Sequence, residues 1–292
     1  MSATRRGTGT TVAVVAALLL ASCTGGDPAS REKTTPSEPA TVVATSTPPT
    51  TSEPARATEP PAPKAGACYD LDFDAATQPT SEEGPVSCRD RHTAQTFHVG
   101  RLETVVDGHL LAVDSALAQR QVQRSCSREF VDHVGGSREK RALSRLRPVW
   151  FSPTLAESDE GASWFRCDVV ALGRGSTLAP LPAPKRLVGA LDRRDARDEF
   201  GLCGTAAPGS AGFDRVICSR PHTWKALATI RIAGDRYPGV GAVRRAGDEA
   251  CRDRVRRASG DAERFRYGWE WPTREQWESG QRYGYCWMPS RR

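Results

Sequence analysis

Nine cysteines in 292 residues constrain this chain more than any other feature. Eight of them fall in two groups of four: Cys68, Cys88, Cys126 and Cys167, then Cys203, Cys218, Cys251 and Cys286. The spacings are 20, 38 and 41 residues in the first group and 15, 33 and 35 in the second. Flanking residues keep the same register. His92 follows Cys88 by four residues, as His222 follows Cys218, and Pro153-Thr154 and Pro272-Thr273 each precede the last cysteine of their group by 14. That registration sets Trp150 opposite Trp269 and Gly161 opposite Gly280. Self-similarity of this kind points to a duplicated unit of about 90–115 residues per copy.

The ninth, Cys23, belongs to a different segment. Arg5 and Arg6 precede an apolar run over residues 11–21, and Leu20-Ala21-Ser22-Cys23 closes it. As a helix those 11 residues would span only about 16 Å, half of a bilayer core, which makes a signal-peptide segment and not a membrane span. Leu-Ala-Ser-Cys resembles a bacterial lipobox, in which the cysteine is lipidated and becomes the new N-terminus. Residues 1–22 are therefore expected to be a lipoprotein signal and Cys23 the lipidation site. Residues 24–65 contain 22 Pro, Ser or Thr in 42 positions and no aromatic residue. Such a stretch buries too little apolar surface to offset its ordering entropy, so 23–65 is expected to be a disordered tether.

Within each copy, period-two alternation and one helical stretch predict strand–strand–helix–strand–strand. In the first copy the segments are 86–88, 96–103, a helix from about 110 to 133, 146–151 and 164–172. In the second they are 214–218, 224–232, a helix over 243–258, a strand through Phe265, Tyr267, Trp269 and Trp271, and a last strand around Cys286. The expected fold class is α+β: two tandem small domains, 66–173 and 200–290, each an antiparallel sheet with one main helix and two disulfides. Residues 174–199, opened by a Pro- and Gly-rich run, are expected to link them.

An exported chain meets an oxidising compartment, where an even set of cysteines forms disulfides. Four cysteines allow three connectivities. The favoured one joins Cys68 to Cys88, Cys126 to Cys167, Cys203 to Cys218 and Cys251 to Cys286. In it, one bridge per copy closes a short loop and the other pins the helix to the last strand. Cys-x-x-x-His raises a metal alternative, but zinc sites carry a second close ligand pair, and none exists here, so neither a metal nor a cofactor is expected. His92 and His222 then orient the cysteine turn by hydrogen bonding, or alternatively line a binding groove.

Gly-x-Ser-x-Gly, Walker, His-Glu-x-x-His and Rossmann patterns are all absent, so an enzyme is not expected. The formal charge of +6 is uneven: residues 186–292 carry seven more positive than negative charges, and residues 66–185 come out two negative. A basic, aromatic-rich half suits single-stranded nucleic acid, but export argues against that partner. Membrane headgroups, wall polymers or division proteins fit better. Trp271 and Trp277 align with Ser152 and Ser158, which makes them the candidates for exposed contacts with sugars, whereas Trp269 and Trp150 share a core position.

The motifs Val86-Ser87-Cys88-Arg89-Asp90-Arg91-His92 and Val216-Ile217-Cys218-Ser219-Arg220-Pro221-His222 resemble those of the actinobacterial septum-formation domain family. So do Tyr237-Pro238-Gly239, Cys251, and Trp277 with Gly280 ahead of Cys286. The first copy departs from the pattern, with Arg91 in place of the proline and Asp107-Gly108-His109 in place of the Tyr-Pro-Gly turn. The resemblance implies an exported or membrane-attached envelope protein linked to septation, and it supplies no catalytic residues. The expectation is a lipoprotein on the outer face of the cytoplasmic membrane that binds envelope components or division proteins. The alternatives are a wall-polymer or carbohydrate binder and a wall-modifying enzyme.

Overall fold

The computed structural model describes residues 58–261 and 263–290. Cys23, the expected signal segment and residues 23–57 of the expected tether lie outside the described residues.

The first half opens with β1 (Cys68–Tyr69) and β2 (Ala94–Arg101). A small hairpin, β3 (Val105–Val106) and β4 (His109–Leu110), follows. Its two-residue turn places Asp107 at φ 53° and Gly108 at φ 78°, the positive φ pair that such hairpins favour. The helix expected from about residue 110 therefore begins later. It is α1 (Ala116–Val134), whose start is fixed by the Ser115 side chain accepting from the Ala118 amide. Then come α2 (Arg138–Ala142), β5 (Leu146–Phe151), α3 (Leu155–Asp159), β6 (Trp164–Leu172) and β7 (Leu178–Ala179). The antiparallel sheet has the order β1-β2-β6-β5, with β7 paired to the end of β6. Helix α1 buries Ala118, Val122, Cys126, Phe130 and Val134, one residue in four, and so lays a single stripe on the sheet.

Residues 174–199, expected to be a linker, are built into this core. Leu181, Leu187, Ala190, Leu191 and Ala196 are buried with Phe130, Val134, Leu146 and Val169. Prolines and glycines set the turns of the segment, while the leucines between them find the apolar surface that α1 leaves open. Short helix α4 (Ala196–Phe200) then delivers the chain to the second half.

There, β8 (Leu202–Gly204), β9 (Arg215–Ile217) and β10 (Trp224–Arg231) precede α5 (Val240–Ala246) and α6 (Asp248–Ser259). β11 (Gly268–Glu270), α7 (Arg274–Glu278) and β12 (Tyr283–Pro289) complete it. The expected continuous helix is broken at Gly247. The Trp269 indole sits between Gly247 and Gly284, where a methyl group on either would overlap the ring, and its Nε1 donates to the Val243 carbonyl at 3.2 Å. The sheet order is β11-β12-β10-β8-β9.

Leaving β9 aside, that order repeats β5-β6-β2-β1. The repetition extends to irregularities. β2 bulges between Thr96 and His98, and His98 then pairs with Cys167; β10 bulges between Ala226 and Ala228, and Ala228 pairs with Cys286. Both α3 and α7 open with a reciprocal capping box, Thr154–Glu157 and Thr273–Gln276. Gly161 and Gly280, which follow these helices, sit at φ 103° and 95°.

The halves share a seam. Ser144 bridges to Gly201, the Arg145 amide donates to the Phe200 carbonyl at 2.7 Å, and the Leu202 amide donates to Leu143 at 2.8 Å. Leu143, from the first half, is buried with Leu202, Trp224, Ala226, Tyr285 and Trp287 of the second. The α+β class holds, but the described residues form one compact body of two sheet-and-helix halves, not two separately packed domains.

Candidate functional site

Four disulfides join Cys68–Cys88, Cys126–Cys167, Cys203–Cys218 and Cys251–Cys286, with Cα separations of 5.0–5.3 Å. Two of them staple α1 to β6 and α6 to β12. The other two fix the loops that carry His92 and His222.

In the second half that loop borders an open cleft of about 380 Å³. The Cys203–Cys218 disulfide, His222, Ser290, Arg197, Asp198 and Lys225 line it. His222 Nδ1 lies 2.8 Å from the Arg220 carbonyl oxygen, which can only accept, so this nitrogen carries a proton. In the neutral ring Nε2 is then the acceptor, and it meets Ser290 Oγ at 3.0 Å. A hydroxyl donating to an imidazole has the outline of a nucleophile and its base. The group that orients Nδ1 is a neutral carbonyl, however, and not the carboxylate that would stabilise an imidazolium. Arg197 spends one N–H on the Leu227 carbonyl at 2.8 Å, while Lys225 is exposed. The cleft thus offers two cations and one carboxylate at its rim, with an imidazole and a hydroxyl on a covalently locked floor, which suits docking of a polar group. Cys203, Cys218 and His222 bring possible ligand atoms within 4.8 Å of one another. The two sulfurs are joined to each other, and zinc takes thiolates.

The first half does not repeat this cleft. His92 also sets Nδ1 against a carbonyl two residues back, Asp90 at 2.9 Å, so both histidines brace the cysteine turn as one of the two sequence readings expects. Yet His92 is only 2% exposed, and its Nε2 has no partner. The reading in which it lines a groove is corrected by this burial; the chain passes beside it at Leu181, whose amide donates to the His92 carbonyl at 2.9 Å. Ala171 stands in the register position of Ser290 and provides no hydroxyl.

The two tryptophans expected at the surface part company. Trp271 is half-buried, with the Arg244 guanidinium 5.5 Å over its ring. Trp277 is 2% exposed, and the expectation of an exposed contact is wrong for it. Its Nε1 donates to the Asp235 carbonyl at 3.3 Å, and Tyr237 packs edge-on at 5.9 Å, so the ring closes the core under the Tyr-Pro-Gly turn.

Sequence reasoning missed a buried ion pair in β6. Arg166 Nε lies 3.2 Å from Asp168 Oδ2, and Thr96 donates to Asp168 Oδ1 at 2.7 Å. The Arg166 guanidinium is 3.7 Å from the centre of the Tyr69 ring. Burial pushes the Asp168 carboxyl up to about 6, against the opposing pull of Arg166 and Thr96. The available signal was two charges at i and i+2 inside an otherwise apolar strand, Trp164–Leu172.

Among the described residues no helix is long and apolar enough to cross a membrane. No curated protein and no solved structure matches the chain. A family model described as septum formation matches residues 66–286, across both halves.

Proposed function

The chain belongs to the septum-formation family, and from that premise we propose that it is a lipid-anchored, non-enzymatic binding module acting on the outer face of an actinobacterial membrane during septum formation. In this reading Cys23 carries the anchor, and residues 66–173 and 200–290 descend from one duplicated unit. The repeated strand order, bulge, capping box and disulfides support the duplication. The observation that carries the binding role is the open, disulfide-floored cleft beside His222, whereas the corresponding His92 is buried. The test is a fluorescent fusion of the full chain followed through division. Concentration of the signal at septa supports the reading, and even distribution around the envelope sinks it. Cys23→Ala is expected to release the protein from the membrane fraction, and full retention would remove the anchor.

A second reading is a wall-polymer or carbohydrate binder. It is favoured by the half-exposed Trp271 ring, which carries the Arg244 guanidinium over one face. Retention on purified cell wall is then expected to fall in Trp271→Ala, and equal retention would dismiss it. An envelope-modifying enzyme is the remaining alternative. In the form the His222–Ser290 contact allows, Ser290 would be its nucleophile, and absence of labelling by a serine-directed fluorophosphonate counts against that form.

A further inference from the structure

Where the two halves meet, a separate concavity of about 300 Å³ opens between α2, β10, α6 and the start of β12. Arg138, Arg231, Arg254 and Arg282 line it together with Glu139 and Thr229, so both halves contribute. Some arginines elsewhere are neutralised singly, with Arg91 on Asp70, Arg101 on Glu59, Arg174 on Asp214 and Arg215 on Glu270; what sets this cleft apart is that four guanidinium-bearing side chains line one hollow. Arg282 pairs with Asp235 at 2.6 Å. Among the described residues Arg138, Arg231 and Arg254 form no ion pair. The one carboxylate in the cleft, Glu139, accepts from the Thr229 amide at 3.0 Å. It ties α2 to β10 across the seam, and as the single carboxylate in the lining it offsets only one of the four guanidinium charges.

Guanidinium groups keep their charge throughout the accessible pH range, so the cleft cannot relieve its like-charge crowding by losing protons. A concavity in which positive side chains outnumber negative ones four to one focuses a positive potential. The planar forks of arginine match the oxygens of phosphate in paired hydrogen bonds. We propose that this seam cleft binds a phosphate group carried on a soluble molecule or polymer strand, held by the guanidinium groups of Arg138, Arg231 and Arg254. A phosphate suits it better than a single carboxylate, because its three or four oxygens can meet forks from several directions at once. A bilayer is the poorer occupant. Headgroups lie in a plane, whereas these arginines ring a hollow built from four elements. The site lies apart from the His222 cleft, and its occupancy does not depend on the septal role.

The experiment is an equilibrium titration of the purified full chain with inorganic pyrophosphate and with glycerol phosphate, against sodium chloride at matched ionic strength. Saturable binding is expected. It should weaken about tenfold or more in Arg231→Ala/Arg254→Ala, and less in Arg231→Lys/Arg254→Lys, which keeps the charge but loses the forks. Arg124→Ala, an exposed and unpaired arginine on α1, serves as the control and is expected to bind as the parent does. No saturable binding, or equal weakening in Arg124→Ala, overturns the proposal. So does binding only to phosphatidylglycerol vesicles, which would mark a membrane-facing surface instead. Unchanged thermal unfolding of the lysine variants separates lost binding from lost folding. Because the readout uses purified protein, its failure leaves the septal reading untouched, and a diffuse fusion signal leaves this one untouched.

Discussion

The two halves of the molecule share a scaffold and differ in what they place on the far face of their sheets. On the near face each helix is stapled to an inner strand of its sheet, β6 or β12, through a cysteine pair, Cys126–Cys167 and Cys251–Cys286. On the far face the first half buries Arg166 and Asp168 against Tyr69 and Phe151. The register positions in the second half hold Tyr285 and Trp287, packed with Trp224 and Phe213. Polarity there moves outward: Trp287 Nε1 donates to Glu270 at 3.0 Å, and Glu270 pairs with the half-buried Arg215 at 2.7 Å. The lesson is that the repeated features constrain the backbone, while the far face was free to be solved twice, once with a buried ion pair and once with aromatic area.

The largest expected effect tests the ion pair itself. Asp168→Ala strands the Arg166 guanidinium in the core and should destabilise the fold by about 3–5 kcal/mol in urea denaturation. Arg166→Met/Asp168→Leu makes the first half apolar like the second and should lose far less, or gain stability. A double variant as damaged as the single one would break the comparison.

Next is the disulfide pair. Replacing Cys126 and Cys167 by alanine should remove about 2–4 kcal/mol. Because Leu143, Phe200 and Ile217 tie the halves into common clusters, calorimetry should still show one transition at lower temperature. Two separated transitions would mean that the halves unfold independently.

The pH dependence is expected to be of similar or smaller size. Asp168 is raised from 3.8 to about 6 by burial. A carboxyl that binds its proton more tightly in the fold than in the unfolded chain contributes most below about pH 4, and that contribution is lost as pH rises through about 6. The loss is up to about 3 kcal/mol at about 1.4 kcal/mol per pK unit. It should appear as the difference between the parent and Arg166→Met/Asp168→Leu, followed from pH 4 to 7. A pH-independent difference would place the Asp168 carboxyl in its ordinary range. The smallest contrast is between the histidines. His92→Ala opens a hole in a buried turn and should cost about 1–3 kcal/mol, and His222→Ala, at the cleft edge, under about 1 kcal/mol. Equal losses would erase the asymmetry between a closed and an open cleft.

What the sequence made legible follows from how strongly each feature is written. Leu146–Phe151 and Trp164–Leu172 lie where β-rich alternation and apolar runs place them. Helix α1 starts later than the pattern predicts, because Asp107-Gly108 makes a hairpin too short to interrupt a pattern read over a longer window. Residues 174–199 read as a linker because Pro and Gly count as loop signals regardless of where the leucines between them go, and here those leucines enter the core. Alignment with a serine predicts an exposed Trp277, whereas the ring is buried. Yet the first half lacks both the tryptophan and the Tyr-Pro-Gly turn, and in the second half these are two sides of one contact. Read together, the two differences pointed inward. The His222 cleft was half visible: the histidine stood out, but Ser290 and Arg197 reach it only through the fold.

The order of the disulfides has a consequence of its own. Along the chain, the first cysteine of the eight is bonded to the second, the third to the fourth, the fifth to the sixth and the seventh to the eighth. No bridge encloses another, and none crosses from one half to the other. For a polypeptide threaded N-terminus first into an oxidant, each thiol's correct mate is the next to emerge. The native set can then be written in a single pass, without reshuffling of earlier bonds.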